Sequence, residues 1–137
     1  MQFLDARGQV REEFITNEPM TIRIRYKAAT RVERPVFGLA LYSDKGVHIN
    51  GPNTRLGGCD IPFVEGEGEV HYHIEHLPLL PGVYHLTVSV HDYNFIYTYD
   101  HHERLYSFRV QRGDVKEIYG IFYIPSQWRF LPYSPGR

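Results

Sequence analysis

Apolar and polar side chains alternate along several short stretches of this chain, and turn-forming residues separate these stretches. The alternation is clearest at residues 21–27, 69–75 and 83–91. Successive side chains of a β-strand point to opposite faces, so this pattern predicts strands with one buried face and one exposed face. No stretch keeps the apolar spacing of an amphipathic helix over its whole length. The pattern therefore predicts an all-β fold.

The strand predicted at residues 36–42 is the one around which the others are arranged. Its bulky face consists of Phe37, Leu39 and Leu41. Gly38 and Ala40 leave the centre of the opposite face nearly bare, because alternate residues of a strand share a face. We expect a packed layer to cover the bulky face. We expect the opposite face to form a shallow surface that is covered by something that fits it.

Strands separated by short turns favour an immunoglobulin-like antiparallel β-sandwich. Greek-key order would place the strands at residues 21–27 and 69–75 in one sheet. The strands at residues 36–42, 83–91 and 105–110 would then form the second sheet.

The remaining segments are predicted as edges and connections. Residues 3–5 and 10–15 are typical of one interrupted edge strand, and residues 93–103 of a loop rich in aromatic side chains. We assign residues 1–110 to the sandwich domain. Residues 111–137 are assigned to the same domain as a linker, a C-terminal strand and a tail.

The composition restricts the possible functions. The 137 residues fit one domain, and 42% hydrophobic with 23% charged residues is typical of a globular protein. A formal net charge of -1 predicts no basic surface for nucleic acid, so we expect no nucleic-acid partner. Cys59 is the only cysteine, which is compatible with a reducing compartment. No segment has the composition of a signal peptide or a membrane span, so we expect a cytoplasmic domain, and one cut from a longer protein.

The outer face of the second predicted sheet combines small and polar side chains. Its predicted floor consists of Gly38, Ala40, Thr87, Ser89 and Ser107. Its predicted margin consists of Tyr42, His85, His91 and Arg109. A small floor with a polar and aromatic margin is typical of a ligand groove. An equally simple interpretation is that another strand, a loop or a partner subunit covers the floor.

The predicted loop at residues 93–103 places three tyrosines and two histidines among other hydrogen-bonding residues. Loops on rigid sheets often carry recognition residues, and aromatic rings such as Tyr97 and Tyr99 can stack on the C–H face of a sugar. Alternatively, these rings only close the end of the sandwich. Trp128 is expected to pack in the core of this chain or of a partner.

Eight histidines permit a metal-site hypothesis. His71 and His73 share one face of a predicted strand, and residues 100–102 could add ligands from a loop. However, the predicted sheets place these two clusters on different surfaces. The sequence signatures of serine hydrolases, zinc metalloproteases and phosphate-binding loops are also missing. We therefore expect no catalytic residue, no metal and no cofactor.

Four segments together resemble the C-terminal domain of Wzt, the ATPase subunit of ABC transporters that export O-antigen polysaccharide. The segments are PVFGLALYSDKGVHINGPNT, LPGVYHLTVSVHD, TYDHHERLYSFRV and YGIFYIPSQW. Each segment is a short sequence typical of β-sandwich proteins. The resemblance therefore depends on the order and spacing of the four segments over nearly the whole chain. The positions that match the family pattern are Phe37, Gly38, Asn53, Thr54, Gly82, Tyr84, Asp100, Phe108, Val110 and Trp128, and most of them are expected to specify the fold.

The resemblance implies a sandwich that binds the non-reducing end of O-antigen polysaccharide in the cytoplasm. It implies a location at the inner face of the inner membrane, with the ATPase and membrane subunits of the transporter as partners through the parent chain. It also implies a homodimer that exchanges a C-terminal strand, which here would be residues 119–124. The nucleotide-binding domain is absent from this chain, so we expect no ATP hydrolysis and no enzyme activity.

Sugar contacts vary with the glycan, so we take them from the predicted groove. The predicted carbohydrate-binding residues are Tyr42, Ser89, His91, Tyr97, Tyr99 and Arg109. The tyrosines would stack on sugar rings, and the other side chains would bind hydroxyls, with Arg109 also able to meet an acidic substituent. Two alternatives stay open: a dimerisation module that ignores glycans, and a His-rich, metal-dependent sugar-modifying enzyme.

Overall fold

The computed structural model describes residues 1–133, which form eight β-strands and no helix. The strands are β1 (Gln2–Leu4), β2 (Glu13–Ile15), β3 (Met20–Glu33), β4 (Val36–Ser43), β5 (His48–Asn50), β6 (Phe63–Ile74), β7 (Gly82–His91) and β8 (Thr98–Gln111). The prediction of an all-β fold is confirmed.

Two sheets pack face to face. The small sheet has the strand order β1-β3-β6, and the large sheet has the order β2-β8-β7-β4-β5. Neighbouring strands are antiparallel, except that β2 runs parallel to β8. The predicted division of the five main strands between two sheets is confirmed.

The first two strands belong to different sheets. β1 pairs with β3, and β2 pairs with β8. Between them the chain reverses at Gly8, whose φ is 76°, and the Asp5 carboxylate accepts hydrogen bonds from the N–H groups of Arg7 and Gln9. The prediction of one interrupted edge strand is therefore wrong, because this turn sends the two halves of the segment to opposite sheets.

The core between the sheets is built around Phe108 of β8. Its ring centroid lies 4.9 Å from that of Phe3, 6.2 Å from that of Phe14 and 5.5 Å from that of Tyr84. The Tyr84 hydroxyl donates a hydrogen bond of 2.5 Å to the Leu80 carbonyl, and burial raises the pKa of this phenol. Alternation correctly predicted five buried positions of β3 and β7, namely Ile22, Ile24, Tyr84, Leu86 and Val88, but it placed Thr87 of β7, which is also buried, on the outer face.

β8 is longer than predicted. It begins at Thr98, so most of the predicted loop at residues 93–103 is strand. Within this half of β8, Asp100 pairs with Val90 and His102 pairs with Val88. The prediction failed here because both faces of the half-strand carry polar side chains, which hides the alternation.

Residues 112–133 form no strand. A single bridge joins Phe122 to Leu79, and the N–H of Leu80 donates to the carbonyl of Ile121 at 2.8 Å. The segment predicted as a strand at residues 119–124 therefore runs along its own chain with one bridge instead of a ladder. Its exchange between two subunits stays a prediction.

Trp128 lies on the surface. Its side chain is 95% exposed, so the prediction that it packs in the core of its own chain is wrong, and packing against a partner stays a prediction. Residues 134–137 of the predicted tail lie outside the described residues.

Candidate functional site

His91, at the end of β7, is the centre of a polar cluster on the outer face of the large sheet. Its Nε2 lies 3.0 Å from Ser89 Oγ, and its Nδ1 lies 3.2 Å from Thr98 Oγ1. The centroid of the Phe95 ring lies 5.7 Å from that of the imidazole. A neutral imidazole has one donor and one acceptor nitrogen, so the two hydroxyls fix the ring and keep hydrogen-bonding capacity of their own. We call Ser89, His91, Phe95 and Thr98 the His91 cluster.

Tyr97 and Tyr99 border the His91 cluster on either side of Thr98. Their rings meet edge to face with centroids 5.1 Å apart. Tyr97 is 62% exposed and Tyr99 is 45% exposed, so a ligand can reach both rings. The structure therefore brings together four of the predicted carbohydrate-binding residues: Ser89, His91, Tyr97 and Tyr99.

Asp92 organises the loop that carries these rings. Its Oδ1 accepts hydrogen bonds from the N–H of Ile96 at 2.7 Å and from the N–H of Tyr97 at 2.6 Å. The hydrogen bond from Tyr97 contributes most to lowering the pKa of the Asp92 carboxyl below its ordinary value. The carboxylate thus holds the loop together with two backbone hydrogen bonds, from Asp92 N–H to the Tyr97 carbonyl and from Phe95 N–H to the Asp92 carbonyl.

Tyr42 lies further along the outer face and contacts other residues. The centroid of the His48 ring is 5.1 Å from that of Tyr42, and the guanidinium carbon of Arg104 lies 4.0 Å from the Tyr42 centroid. A guanidinium over an aromatic face is attracted by the ring quadrupole. Arg104 therefore covers one face of the Tyr42 ring.

A bulge in β8 places Arg104 over the sheet. The pairing of β7 with β8 shifts between Leu86 and Val88, and residues 103–105 form the bulge opposite Thr87. Arg104 has a φ of 47°, and its N–H donates to Thr87 Oγ1 at 2.8 Å. Thr87 is only 5% exposed as a result. The prediction of an open floor of small residues is therefore wrong at its centre, because the bulge covers Thr87.

Tyr42 and Arg109 lie far from the His91 cluster. Tyr42 pairs with His85, so at about 3.3 Å per residue along β7 it is roughly 20 Å from His91. Arg109 pairs with Val83, which places it roughly 26 Å from His91. The six predicted residues therefore do not form one site.

The outer face of the small sheet carries paired charges. Arg25 Nε lies 3.5 Å from Glu69 Oε2, and His71 Nε2 lies 2.8 Å from Glu69 Oε1. The hydrogen bond from His71, followed by the charges of nearby arginines, lowers the pKa of the Glu69 carboxyl. Within residues 1–133, no group of three or more His, Cys, Asp or Glu side chains is arranged to hold a metal ion.

Comparison with known proteins assigns the family. Residues 1–124 match the sequence profile of the Wzt C-terminal domain. The chain belongs to this family. A crystal structure of the C-terminal domain of Wzt has the same fold, with a TM-score of 0.79 at 14% sequence identity, over 95% of this chain and 80% of that chain. No curated protein matches the sequence.

This Wzt C-terminal domain also contains functional candidates that sequence reasoning missed. Arg104 carries no sequence signal, because a bulge and not alternation directs it outward. Asp92 could have been found, since an Asp before a short loop often accepts hydrogen bonds from the backbone two to four residues on.

In the part of the chain that the structure describes, no helix is long and apolar enough to cross a membrane.

Proposed function

We propose that this Wzt C-terminal domain is a non-catalytic carbohydrate-binding module that recognises the non-reducing end of an O-antigen polysaccharide in the cytoplasm. Through its parent chain it would couple that recognition to export by an ABC transporter. The observation that carries the proposal is the group formed by the His91 cluster, Tyr97 and Tyr99. This group combines exposed aromatic rings with hydroxyl and imidazole groups on a rigid sheet, which is the chemistry that sugar rings require. Family membership supports the transporter context.

The proposal is tested by titrating the folded domain with the O-polysaccharide of its source strain and with that of an unrelated serotype. Binding is followed by tyrosine and tryptophan fluorescence. We expect saturable binding to the first polysaccharide alone. A folded domain that binds neither polysaccharide would refute the proposal.

A pair of histidine variants localises the binding. His91→Ala removes the hydrogen-bonding centre of the site and should weaken binding by about 1–3 kcal/mol, because the hydroxyls it orients lose a partner. His71→Ala is the matched control, since His71 also bonds a neighbouring side chain but lies on the small sheet. Equal affinities of the two variants would exclude the His91 cluster as the binding surface.

A second candidate function, dimerisation, is favoured by the C-terminal segment. Apolar side chains of this segment are exposed, namely Tyr119, Phe122, Ile124, Trp128, Phe130, Leu131 and Tyr133. Apolar surface of this extent is typical of an interface with another protein. We propose that a second copy of the chain covers it, and that residues 119–124 are exchanged between the two copies.

Truncation before Gln111 tests the dimer. We expect the truncated chain to sediment as a monomer, whereas the full chain sediments as a dimer. A truncated chain that stays dimeric would contradict the exchanged segment. A dimer that binds no glycan would make assembly the function of the domain.

A further inference from the structure

The two long edge strands of the sandwich are covered over only part of their length. β3 and β8 have 14 residues each, whereas their outer neighbours β1 and β2 have three residues each. β1 pairs with residues 21–23 of β3, and β2 pairs with residues 109–111 of β8. Along the rest of both edges, no other strand of the described residues is paired.

A cavity of about 430 Å³ opens between these two uncovered edges. Its floor is apolar and is formed by Ile24, Phe37, Val64 and Val88. Its mouth is lined by Tyr26 of β3 and by Tyr99, Asp100 and His102 of β8. We call this cavity the edge slot. Its volume lies within the range of about 300–1,000 Å³ that is typical of small-molecule sites, and an apolar wall with a few polar groups is the usual lining of such sites.

A row of polar side chains lies on the inner face of β8, where a sandwich normally places apolar residues. Asp100, His102 and Tyr106 pair with Val90, Val88 and Leu86 of β7, and paired residues share a face. The His102 Nδ1 lies 2.7 Å from the Tyr106 hydroxyl, and its Nε2 lies 3.3 Å from Asp100 Oδ1. Burial, and then the charge of Asp100, raise the pKa of the Tyr106 phenol.

This row keeps unused hydrogen-bonding capacity. Asp100 Oδ1 already accepts the N–H of His101 at 2.9 Å and faces His102. Within the described residues, no hydrogen bond reaches Asp100 Oδ2. A carboxylate accepts hydrogen bonds at both oxygens, so Asp100 Oδ2 can accept one from a hydroxyl group in the slot.

Aromatic rings face the polar row. Tyr26 packs on Phe37 with centroids 5.7 Å apart and lies across Gly68, the residue that pairs with it on β6. On the other side, Tyr99 lines the mouth of the slot. A pyranose ring has an apolar C–H face and a hydroxyl rim, which match an aromatic wall and a polar row respectively.

The charges of the slot disfavour an anionic ligand. Asp100 is the acidic group in its lining. Arg25 and Lys27 also border the cavity, but they alternate with the inward residues of β3, and Arg25 is paired with Glu69 on the outer face. An anionic substituent in the slot would therefore face a carboxylate.

We propose that the edge slot binds the terminal pyranose ring of the glycan as a neutral ring, with its apolar face on Tyr26 or Tyr99 and its hydroxyls on Asp100 and His102. The inference rests on the proposed function and adds a second subsite to it. Tyr99 lies between the two regions, so the chain would leave the slot past Tyr99 and Tyr97 towards the His91 cluster.

Two carboxylate-to-amide variants of the same strand test the slot. Asp100→Asn keeps the shape of the side chain but removes the charged acceptor, and Glu103→Gln makes the same change on the exposed bulge. Each variant is titrated with the O-polysaccharide of the source strain after its thermal unfolding has been compared with that of the wild type. We expect Asp100→Asn to weaken binding about tenfold and Glu103→Gln to stay within about twofold of the wild type.

An NMR titration of the wild-type domain with the same polysaccharide gives a readout that does not depend on how the variants fold. We expect backbone amide shifts at residues 24–28 and 100–102, which lie outside the His91 cluster. Binding by the wild type with amide shifts confined to the outer face, and with equal affinity of Asp100→Asn, would refute the slot and leave the proposed function standing. A wild-type domain that binds no polysaccharide would refute both.

Discussion

Gly68 is the position where one added methyl group tests the packing most directly. An ideal Cβ on this residue would lie 2.2 Å from the Tyr26 hydroxyl oxygen, 2.4 Å from Cζ and 2.7 Å from Cε2. Gly68 is not among the glycines with positive φ, so alanine can adopt its backbone conformation. The expected cost of Gly68→Ala in the folded state is therefore steric: the ring of Tyr26 must shift from its place beside Phe37.

The magnitude follows from two opposing contributions. Forcing an aromatic ring out of a packed position costs about 1–3 kcal/mol. Alanine also reduces the freedom of the unfolded chain, which restores about 0.4–1 kcal/mol where the backbone is compatible. The net expectation is a loss of between about 0 and 2.6 kcal/mol in the free energy of unfolding. Its centre, near about 1.3 kcal/mol, corresponds to about 4–7 °C in the melting temperature for a domain of this size.

Thermal and urea denaturation followed by circular dichroism measure this loss. Gly82→Ala is the matched control, because its Cβ would lie 3.6 Å from the Tyr84 hydroxyl, which is an ordinary contact in another strand. In a Tyr26→Ala background the clash is gone, so Gly68→Ala should become neutral or stabilising. An equal cost in both backgrounds would show that the reasoning about Tyr26 is wrong.

Three further predictions concern other features. Thr87→Val should lower the free energy of unfolding in urea denaturation by about 1–3 kcal/mol, since the Arg104 N–H loses its buried acceptor. Thr87→Ser should be nearly neutral. Similar stabilities of the two variants would disprove the role of the hydroxyl. The folded-state pKa of Asp92 lies below its ordinary value of 3.8, so its stabilisation of the loop is present above that value and is lost as the pH falls through the folded-state pKa. Exchange protection of the Tyr97 amide should fall in that range and be low at every pH in Asp92→Ala; a protected amide in this variant would contradict the assignment. Trp128→Ser should leave monomer unfolding unchanged because the side chain is exposed, yet weaken self-association in sedimentation, and an unchanged dimer would argue against burial of Trp128.

Most of the fold could be predicted from alternation. It identified β3, β4 and β7 and their buried faces, because Ile22, Phe37 and Leu86 sit where one face meets the core and the other meets water. The first half of β8 escaped because Asp100 and His102 occupy inward positions that usually carry apolar side chains. The alternation rule fails where the inner face of a strand lines a cavity instead of the core. Such positions are expected to coincide with functional sites.

The arrangement of the candidate site was less predictable, because it depends on pairing irregularities. A bulge opposite Thr87 turns Arg104 onto Tyr42, and neither the bulge nor the left-handed φ of Arg104 has a signature such as glycine. Distances between residues on paired strands follow from the register of the pairing. The separation of Arg109 from His91 therefore became evident only once Arg109 was known to pair with Val83.

The crossing of the chain between β1 and β2 sets the mechanics of the sandwich. This segment joins the edge of the small sheet to the edge of the large sheet, on the side where the slot opens. It is stiff, since Asp5 N–H bonds the Gln9 carbonyl at 2.9 Å, Arg11 N–H bonds the Phe3 carbonyl at 2.9 Å, and the Arg11 guanidinium pairs with Glu18. The two edges are therefore tied together at this end of the edge slot by backbone hydrogen bonds and by the Arg11–Glu18 ion pair.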